Sequence, residues 1–419
     1  MTPREGFLNS GHLPTLVAAL LYFDVSFMVW VLLGPLAPFL REEFTLSATE
    51  QGLIVAIPLL GGAFFRPVLG LLADRIGGRR AGLIGLSFTA AALIFGWKGA
   101  DSVADFYRLG FLLGIAGASF AVALPLASRW YPPEYQGLAM GIAGAGNSGT
   151  VFATLCAPRL AERFGWATVF GIVLVPLVIV LVAFAAMAKD SPSHRSIPSW
   201  GDYLSVIGEP DTLWFAFLYS LTFGGFVGFA SFLTMFFHEQ YHVARVTAGD
   251  FATVIVLAGS LLRPVGGWLS DRFGGYRLLL TLLSGASICV LTAARLPSLE
   301  AVIIVLFIGM GLLGMGNGAV FQLVAQRFGD RIGIVTGVVG AAGGLGGFFL
   351  PSVFGVMKDM TGSYATGLAL CGGIFLLGAL ALLELGVRWT ARWQSHAVGR
   401  SGLFNYREVL GNPRTEETT

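Results

Sequence analysis

Two arginines, Arg66 and Arg263, stand near the middle of long apolar segments. A guanidinium group does not lose its proton in proteins, and at the centre of a bilayer it costs at least ~2.5 to 3.5 kcal/mol on insertion scales. Each arginine lies eight residues before the acid of a polar turn, Asp74 or Asp271. A helix places it ~12 Å inward, near the midplane of a ~30 Å hydrocarbon layer. No acid lies on the same helical face within a turn or two.

The chemistry open to such a pair is the binding of a small anion. Two guanidinium groups from different segments can donate planar N–H groups to opposite sides of one oxyanion, in charge-assisted hydrogen bonds. The surrounding glycines and apolar side chains supply few further donors, which favours a ligand of low charge, such as a singly charged trigonal oxyanion. A salt bridge between each arginine and an acid of another segment stays open as the alternative.

Composition places these arginines in a membrane protein. The chain of 419 residues is 55% hydrophobic and 12% charged, with a mean hydropathy of +0.76, which leaves too little polar surface for a soluble protein. Twelve segments approach or exceed the roughly 20 apolar residues of a membrane helix. They are 13–39, 50–72, 81–97, 106–127, 137–158, 166–187, 212–237, 247–269, 277–297, 299–325, 332–356 and 363–389.

The chain is also duplicated. Residues 66–80 read RPVLGLLADRIGGRR and residues 263–277 read RPVGGWLSDRFGGYR, 197 residues apart. We therefore expect an all-α membrane protein whose twelve transmembrane helices form two pseudo-symmetric six-helix bundles, with a ligand at the midplane between them. The expected parts are the N-terminal bundle 1–188, a cytoplasmic linker 189–211, the C-terminal bundle 212–392 and a loosely ordered, polar cytoplasmic tail 393–419.

Charge distribution predicts the orientation. Lysine and arginine are concentrated in the loops after even-numbered segments, so the positive-inside rule predicts a multi-pass protein of the cytoplasmic (inner) membrane with both termini in the cytoplasm. The three cysteines, Cys156, Cys289 and Cys371, have no paired or metal-like spacing, and no nucleophile elbow or phosphate-binding loop occurs. We expect no enzyme activity, no cofactor and no metal site.

Glycine is concentrated on two segments. Gly333, Gly337, Gly340, Gly344 and Gly347 step by four and three residues, which places them on one face of the eleventh helix. The fifth segment has a shorter stripe at 137, 141 and 144. Such stripes let backbones approach closely in lipid. Static packing and a surface that slides past a partner helix, with backbone groups near a ligand, are both compatible with this pattern.

The two repeated turns, GLLADRIGG at 70–78 and GWLSDRFGG at 267–275, resemble the loop between the second and third helices of the major facilitator superfamily, G-x-L-x-D-R-x-G-x-R-R. In that superfamily the expected role of the turn is gating. The gating residues that the resemblance implies are Gly70, Asp74, Arg75, Gly77, Arg80, Gly267, Asp271, Arg272, Gly274 and Arg277.

A finer resemblance comes from GLAMGIAGAGNSGT at 137–150 and GIVTGVVGAAGGLGG at 333–347, joined by residues 22–36 and 314–324. These stretches resemble the paired glycine-rich signatures of the nitrate/nitrite porter family within the superfamily. The resemblance implies alternating access, with helix 2 against helix 11 and helix 5 against helix 8. The substrate-binding residues it implies are Arg66, Arg263, Asn147, Tyr219, Phe223, Phe27, Gly144, Gly146, Gly340, Gly343 and Gly344.

Asp24 is the lone carboxylate deep in the first segment, and intramembrane acids are candidates for proton relay. A potential that is negative inside opposes anion entry by ~2.3 kcal/mol per charge per 100 mV, so import needs protons or an exchanged anion. Pairing of Asp24 with a buried basic group, or capping of a polar network, is the alternative.

The expected function is import of nitrate, and of nitrite, coupled to protons. Nitrate/nitrite exchange, carriage of another small organic anion and an anion-sensing receptor remain alternatives. The expected partners are the inorganic anion, protons and membrane lipid, with the chain acting as a monomer and without nucleic acid.

Overall fold

Most of the membrane helices extend past the apolar segments that predict them at one or both ends, because charged residues there can reach the interface. The computed structural model describes residues 6–192, 200–328, 331–393 and 395–403. In chain order the helices are α1 (Leu13–Phe44), α2 (Ala48–Ile76), α3 (Gly78–Lys98), α4 (Val103–Ser128), α5 (133–164), α6 (Trp166–Met187), α7 (Pro210–Tyr241), α8 (Arg245–Phe273), α9 (Gly275–Ala293), α10 (Leu299–Phe328), α11 (Ile332–Thr361) and α12 (Ala365–Arg392).

Eleven helices of the described residues are long and apolar enough to cross a membrane. Helix α5 lies outside that set because glycine and polar residues fill its centre, where the 3-10 turn Ala145–Ser148 interrupts it. With α5 included, the predicted all-α arrangement of twelve helices in two bundles is confirmed, and the described ranges contain no strand.

Other helices are broken near their middle. The helical run of α1 ends at Trp30, that of α4 at Gly117 and that of α8 at Leu261, while α7 contains the π-helical segment Ser220–Gly224. Irregular backbone within a membrane is tolerated where it is buried in protein or lines a cavity, and single π turns are frequent at functional sites. The breaks therefore indicate a site at the centre of the molecule.

The two repeated turns depend on glycine. Gly77 and Gly274 have φ angles of 94° and 86°, a region that L side chains rarely adopt. A Cβ on Gly77 would also lie 2.5 Å from Asp190 Oδ2, and one on Gly274 would overlap the backbone of Gly402. Each of these glycines is the single residue that connects two helices, α2 to α3 and α8 to α9.

The bundles meet along two pairs of helices. Helix α2 packs against α11, where a Cβ on Gly52 would lie 2.5 Å from the Pro351 carbonyl oxygen. Helix α5 packs against α8, where Thr253 Oγ1 donates to Thr154 Oγ1 at 2.9 Å. Both pairings are those that the family resemblance implies.

We call the side of the membrane that carries the α2–α3 and α8–α9 turns the turn side, and the other the loop side. On the loop side, polar contacts join the two bundles. The ion pairs are Arg41 with Glu239, Glu42 with Arg245 at 2.7 Å, and Arg159 with Asp250 at 2.7 Å. Asp359 on α11 also accepts from the backbone N–H groups of Ala48 and Thr49 at the start of α2, at 3.1 and 2.8 Å.

Tyr364, between α11 and α12, supports this closure. Its hydroxyl donates to Glu239 Oε2 at 2.7 Å. Burial and the adjacent carboxylate both raise the pKa of the phenol, so it stays protonated and keeps donating.

On the turn side the bundles diverge. On the facing helices α5, α8 and α11, four glycines have open space where a Cβ would stand, with no atom within 4 Å: Gly141, Gly144, Gly267 and Gly337. The ion pairs of the described residues on this side stay within one bundle, such as Asp74 with Arg129 at 2.8 Å and Asp211 with Arg327 at 2.6 Å. The structure is closed on the loop side and open on the turn side.

The tail 393–419 is predicted to be loosely ordered, yet its first residues are docked. The Trp393 ring is 7% exposed, and its Nε1 donates to Asp211 Oδ2 at 3.2 Å. The helix Ser395–Ser401 follows and packs on α10. An aromatic anchor and a shared carboxylate thus offset the polar composition. Residues 404–419 and 193–199 lie outside the described residues, and the limits of bundles, linker and tail stay predictions.

Candidate functional site

Arg66 lies at the interface of the bundles. It is 2% exposed, and its Nε donates to the Gly117 carbonyl on α4 at 3.1 Å. Its Nη1 donates to the Gly340 carbonyl on α11, so the contact crosses between bundles, while Nη2 has no hydrogen-bond partner within the protein. The glycine stripe of α11 therefore offers this arginine a carbonyl.

Three aromatic rings enclose the Arg66 guanidinium. Its Cζ lies 5.1 Å from the ring centroid of Trp30, 5.4 Å from that of Phe120 and 5.1 Å from that of Phe223. Trp30 is itself fixed, because its Nε1 donates to the Pro58 carbonyl at 2.7 Å. Cation–π contacts of this kind contribute ~2 kcal/mol or more when desolvated. The rings hold the cation without neutralising it.

Arg263 stands at the break in α8 and opens its second helical part. Its Nη1 is buried and has no hydrogen-bond partner within the protein. The two arginines are near enough to repel each other, and Tyr219 of α7 interacts electrostatically with both. The Tyr219 hydroxyl lies by Arg263, yet neither it nor Nη1 forms a hydrogen bond of ordinary geometry.

Carboxylates do not balance either arginine. The ion pairs among the described residues involve neither Arg66 nor Arg263. The interbundle salt bridge that the sequence leaves open is therefore not formed by the described acids. What remains at the centre is a cationic surface with unused N–H donors, held in apolar and aromatic surroundings.

Asn147 lies in the 3-10 turn of α5 and is fully buried, and both of its amide atoms lack a partner within the protein. Gly146 brings this turn against α1, where its Cβ would lie 2.8 Å from the Asp24 backbone nitrogen. Ser148 Oγ donates to Asp24 Oδ1 at 2.7 Å. Asp24 thus belongs to a small polar network beside Asn147, and it has no basic partner among the described residues.

The structure brings some of the predicted residues together and separates others. Phe27 stacks edge-on to Phe223, with ring centroids 6.1 Å apart, and a Cβ on Gly343 would lie 2.8 Å from the Tyr219 ring. A Cβ on Gly344 would instead meet Ala63 of α2 at 3.1 Å. Gly344, like Gly146, serves close packing of helices, whereas Gly144 borders the opening on the turn side.

The sequence pattern does not identify Trp30, Phe120 and Gly117 as neighbours of Arg66. A signal exists for two of them, since Trp30 follows Phe27 by three residues on the same helical face, and Gly117 recurs as Gly314 in the repeat. Aromatic residues are so common in apolar segments that only the fold distinguishes those that face a cation. Among the described residues, no group of three or more His, Cys, Asp or Glu could hold a metal ion.

A model of the Major Facilitator Superfamily matches residues 18–351, which include both arginines and both repeated turns. The chain belongs to the Major Facilitator Superfamily. The resemblance of the turns is confirmed.

Relatives with names cover almost the whole chain. The Probable nitrate/nitrite transporter NarK2 of Mycobacterium tuberculosis is 37% identical over 368 residues, which are 86% of this chain and 93% of that protein. The Nitrite extrusion protein of Bacillus subtilis is 32% identical over 91% of this chain and 95% of that protein. The Probable nitrate/nitrite antiporter NarK1 of Thermus thermophilus is 30% identical over 87% of this chain and 88% of that protein. The resemblance to the nitrate/nitrite porters is confirmed, and since such proteins are transporters, this chain is not an enzyme.

Solved structures support the fold of this superfamily member. The xylose transporter XylE from E. coli, described in a partially occluded inward open conformation, superposes with a TM-score of 0.72 at 15% identity, over 90% of this chain and 98% of that chain. A D-xylose–proton symporter superposes with a TM-score of 0.71 at 16% identity, over 91% of this chain and 97% of that chain. At this identity the likeness concerns the fold alone.

The two copies of the superfamily turn are not equivalent. Asp74 forms an ion pair with Arg129 of α4. Arg327, on α10 in the other bundle, pairs instead with Asp211 and Glu209, and Asp271 is exposed. The first turn is therefore joined to its own bundle by an ion pair, whereas the 197-residue shift places Gln326, which is not a cation, at the position of Arg129.

The other predicted gating residues lie on or near these turns. Arg75 and Arg80 are exposed, as is Arg272, whose guanidinium lies 5.8 Å from the ring centroids of Trp268 and Phe273. Gly70 and Gly267 lie one turn of helix deeper, and Arg277 lies in the first turn of α9. The gating role of these residues stays a prediction.

Proposed function

We propose that this protein carries nitrate and nitrite across the cytoplasmic membrane by alternating access, importing nitrate with protons. The observation that carries the proposal is a pair of arginines without a carboxylate partner, the buried Arg66 and the partly buried Arg263, one from each bundle and each with an unpartnered buried N–H donor. The names of the relatives in Mycobacterium tuberculosis and Bacillus subtilis support the choice of anion.

The anion would bind between Arg66 and Arg263. Charge-assisted hydrogen bonds from both guanidinium groups would hold its oxygens, and its negative charge would relieve the repulsion between the two cations. Tyr219 and Asn147 carry unpartnered polar atoms and would complete the donor set. The rings of Phe27 and Phe223 would exclude water, so the electrostatic attraction acts in a medium of low dielectric.

The excess of lysine and arginine on the turn side supports a cytoplasmic location for that side and for both termini. With that orientation, closed contacts on the loop side and open glycine faces on the turn side describe an inward-facing conformation. One chain supplies both bundles and both arginines, which supports transport by a monomer in lipid.

Proton coupling would use Asp24. Its carboxylate accepts from Ser148 beside Asn147, so protonation there would alter the α5 turn that borders the site. Exchange is the second candidate, because the relative in Thermus thermophilus is named an antiporter. The two mechanisms predict different driving forces for the same anion.

The proposal is tested by nitrate uptake into proteoliposomes under a proton gradient alone and with internal nitrite alone. Arg66→Lys and Arg263→Lys keep the charge but lose the planar donors, so each should raise the nitrate Kd about 10- to 100-fold. Arg108→Lys is the matched control, since Arg108 is 72% exposed and pairs with Asp105 within α4.

Undiminished nitrate affinity in Arg66→Lys and Arg263→Lys would count against the proposed site. Uptake driven by internal nitrite but not by the proton gradient would replace symport with exchange.

A further inference from the structure

Asn317 on α10 is a fully buried side chain for which the proposed function so far has no role. It is 0% exposed, and neither its amide nitrogen nor its amide oxygen has a hydrogen-bond partner within the protein. A buried amide left unpaired costs ~1 to 3 kcal/mol. A side chain kept in that condition points to a ligand that it serves.

The neighbours of Asn317 in the chain locate it. A Cβ on Gly316 would lie 2.8 Å from Thr222 Cγ2, in the π-helical segment of α7. A Cβ on Gly318 would lie 3.0 Å from the Arg263 carbonyl oxygen, at the break in α8. Asn317 therefore stands between these two irregular segments. The Thr222 hydroxyl is likewise buried and without a partner within the protein.

The face of α10 that carries Asn317 points toward the centre of the molecule. Phe321, one turn further along, lies on the same face. Its ring centroid is 4.8 Å from that of Tyr219 and 6.4 Å from that of Phe120, which belongs to the other bundle. Asn317 thus faces the same interface as the two arginines.

The internal repeat gives an independent placement. The shift of 197 residues that relates Arg66 to Arg263 also relates Phe120 to Asn317. In the N-terminal bundle, the Phe120 ring centroid lies 5.4 Å from the Arg66 guanidinium. Pseudo-symmetry therefore puts Asn317 beside the Arg263 guanidinium, where the second bundle has an amide in place of a ring. One arginine is held by π faces, and this placement would give the other a polar neighbour.

We propose that Asn317 is a specificity-determining residue that donates from Nδ2 to an oxygen of the bound anion on the Arg263 side; this rests on the proposed function. A trigonal anion with three oxygens needs more donors than a bent anion with two. If the guanidinium groups serve one oxygen each, the third oxygen of nitrate is the one that an additional amide can reach. Asn317 therefore favours nitrate over nitrite.

The test compares nitrate and nitrite binding to purified full-length protein by titration calorimetry. Asn317→Leu removes the amide, and it should raise the nitrate Kd about tenfold or more, equivalent to ~1.4 kcal/mol or more, with a clearly smaller effect on nitrite. Asn317→Ser, the milder variant, should shift the selectivity in the same direction. Ser287→Ala, which removes a buried hydroxyl bonded to the Gly372 carbonyl at 2.8 Å in α9 and α12, should leave both affinities unchanged.

Equal losses of nitrate and nitrite affinity in both Asn317 variants would show a structural role and overturn the inference, as would unchanged selectivity. A wild-type protein that binds neither anion would overturn the proposed function itself. A third outcome is that Arg263→Lys weakens the binding of both anions while Asn317→Leu and Asn317→Ser keep the wild-type selectivity. That outcome would retain the proposed function and reject Asn317 as its selectivity determinant.

Discussion

The same substitution at two glycines of α11 should shift the transporter in opposite directions. Gly355 lies on the closed loop side, where a Cβ would overlap the Ala48 carbonyl oxygen of α2. Gly337 lies on the turn side, where a Cβ would meet no atom within 4 Å. Gly355→Ala therefore destabilises the present conformation alone, whereas Gly337→Ala fits this conformation and crowds the one in which the turn side closes.

The size of the effect follows from overpacking. An extra methyl group in a tight contact typically costs ~1 to 3 kcal/mol, which shifts a two-state equilibrium about 5- to 150-fold. The Gly355 neighbour is backbone, which cannot rotate away, so we expect the upper part of that range. For Gly337→Ala, the higher helix propensity of alanine adds up to ~1 kcal/mol in either conformation and does not distinguish them.

A single cysteine reports the opening. Gly141→Cys places a thiol on the open face of α5, where nothing lies within 4 Å of the Cβ position. In a background without Cys156, Cys289 and Cys371, a membrane-impermeant maleimide should label it from the turn side. Gly355→Ala should slow this labelling, and Gly337→Ala should maintain or accelerate it. Faster labelling in Gly355→Ala, or identical effects of the two alanines, would refute a rocking motion about the central site.

Three further outcomes are expected from the same preparation. Glu239→Gln breaks the interbundle ion pair with Arg41, which is partly exposed, so labelling at position 141 should fall only about fivefold or less; no change would mean that the pair does not hold the loop side closed. Asp24→Asn should abolish acceleration of uptake by a proton gradient while leaving nitrate binding intact, and a retained gradient response would exclude Asp24 as the relay. Trp30→Leu removes a ring from Arg66 and should weaken nitrate binding about tenfold, in contrast to an equivalent change at the lipid-facing Phe88.

The sequence predicts the helices and the two arginines because the signals are local or repeated. A run of apolar residues must become a helix in lipid, and the 197-residue repeat marks Arg66 and Arg263 without any knowledge of contacts. The pairing of α2 with α11 comes from the family resemblance, and the glycine stripes explain physically why those helices can approach.

The aromatic enclosure and the loop-side ion pairs do not follow from the sequence. Arg41 and Glu239 are far apart in the chain, and neither stands in a recognisable motif. Trp30 and Phe120 become neighbours of Arg66 only after α1, α2 and α4 have packed together. The docked start of the tail escapes prediction for a similar reason, since Trp393 finds Asp211 only after α7 and α12 have packed.

The glycine stripe of α11 joins the site to the opening between the bundles. Gly344 is packed against α2, Gly337 faces open space, and Gly340 lies between them and accepts from Arg66. Arg66 therefore stands where the bundles begin to separate. An anion that draws Arg66 and Arg263 together acts at this boundary, so a small gain in attraction there favours closure of the turn side. Because the same arginine bonds to the opposite bundle, binding and conformational change share one contact.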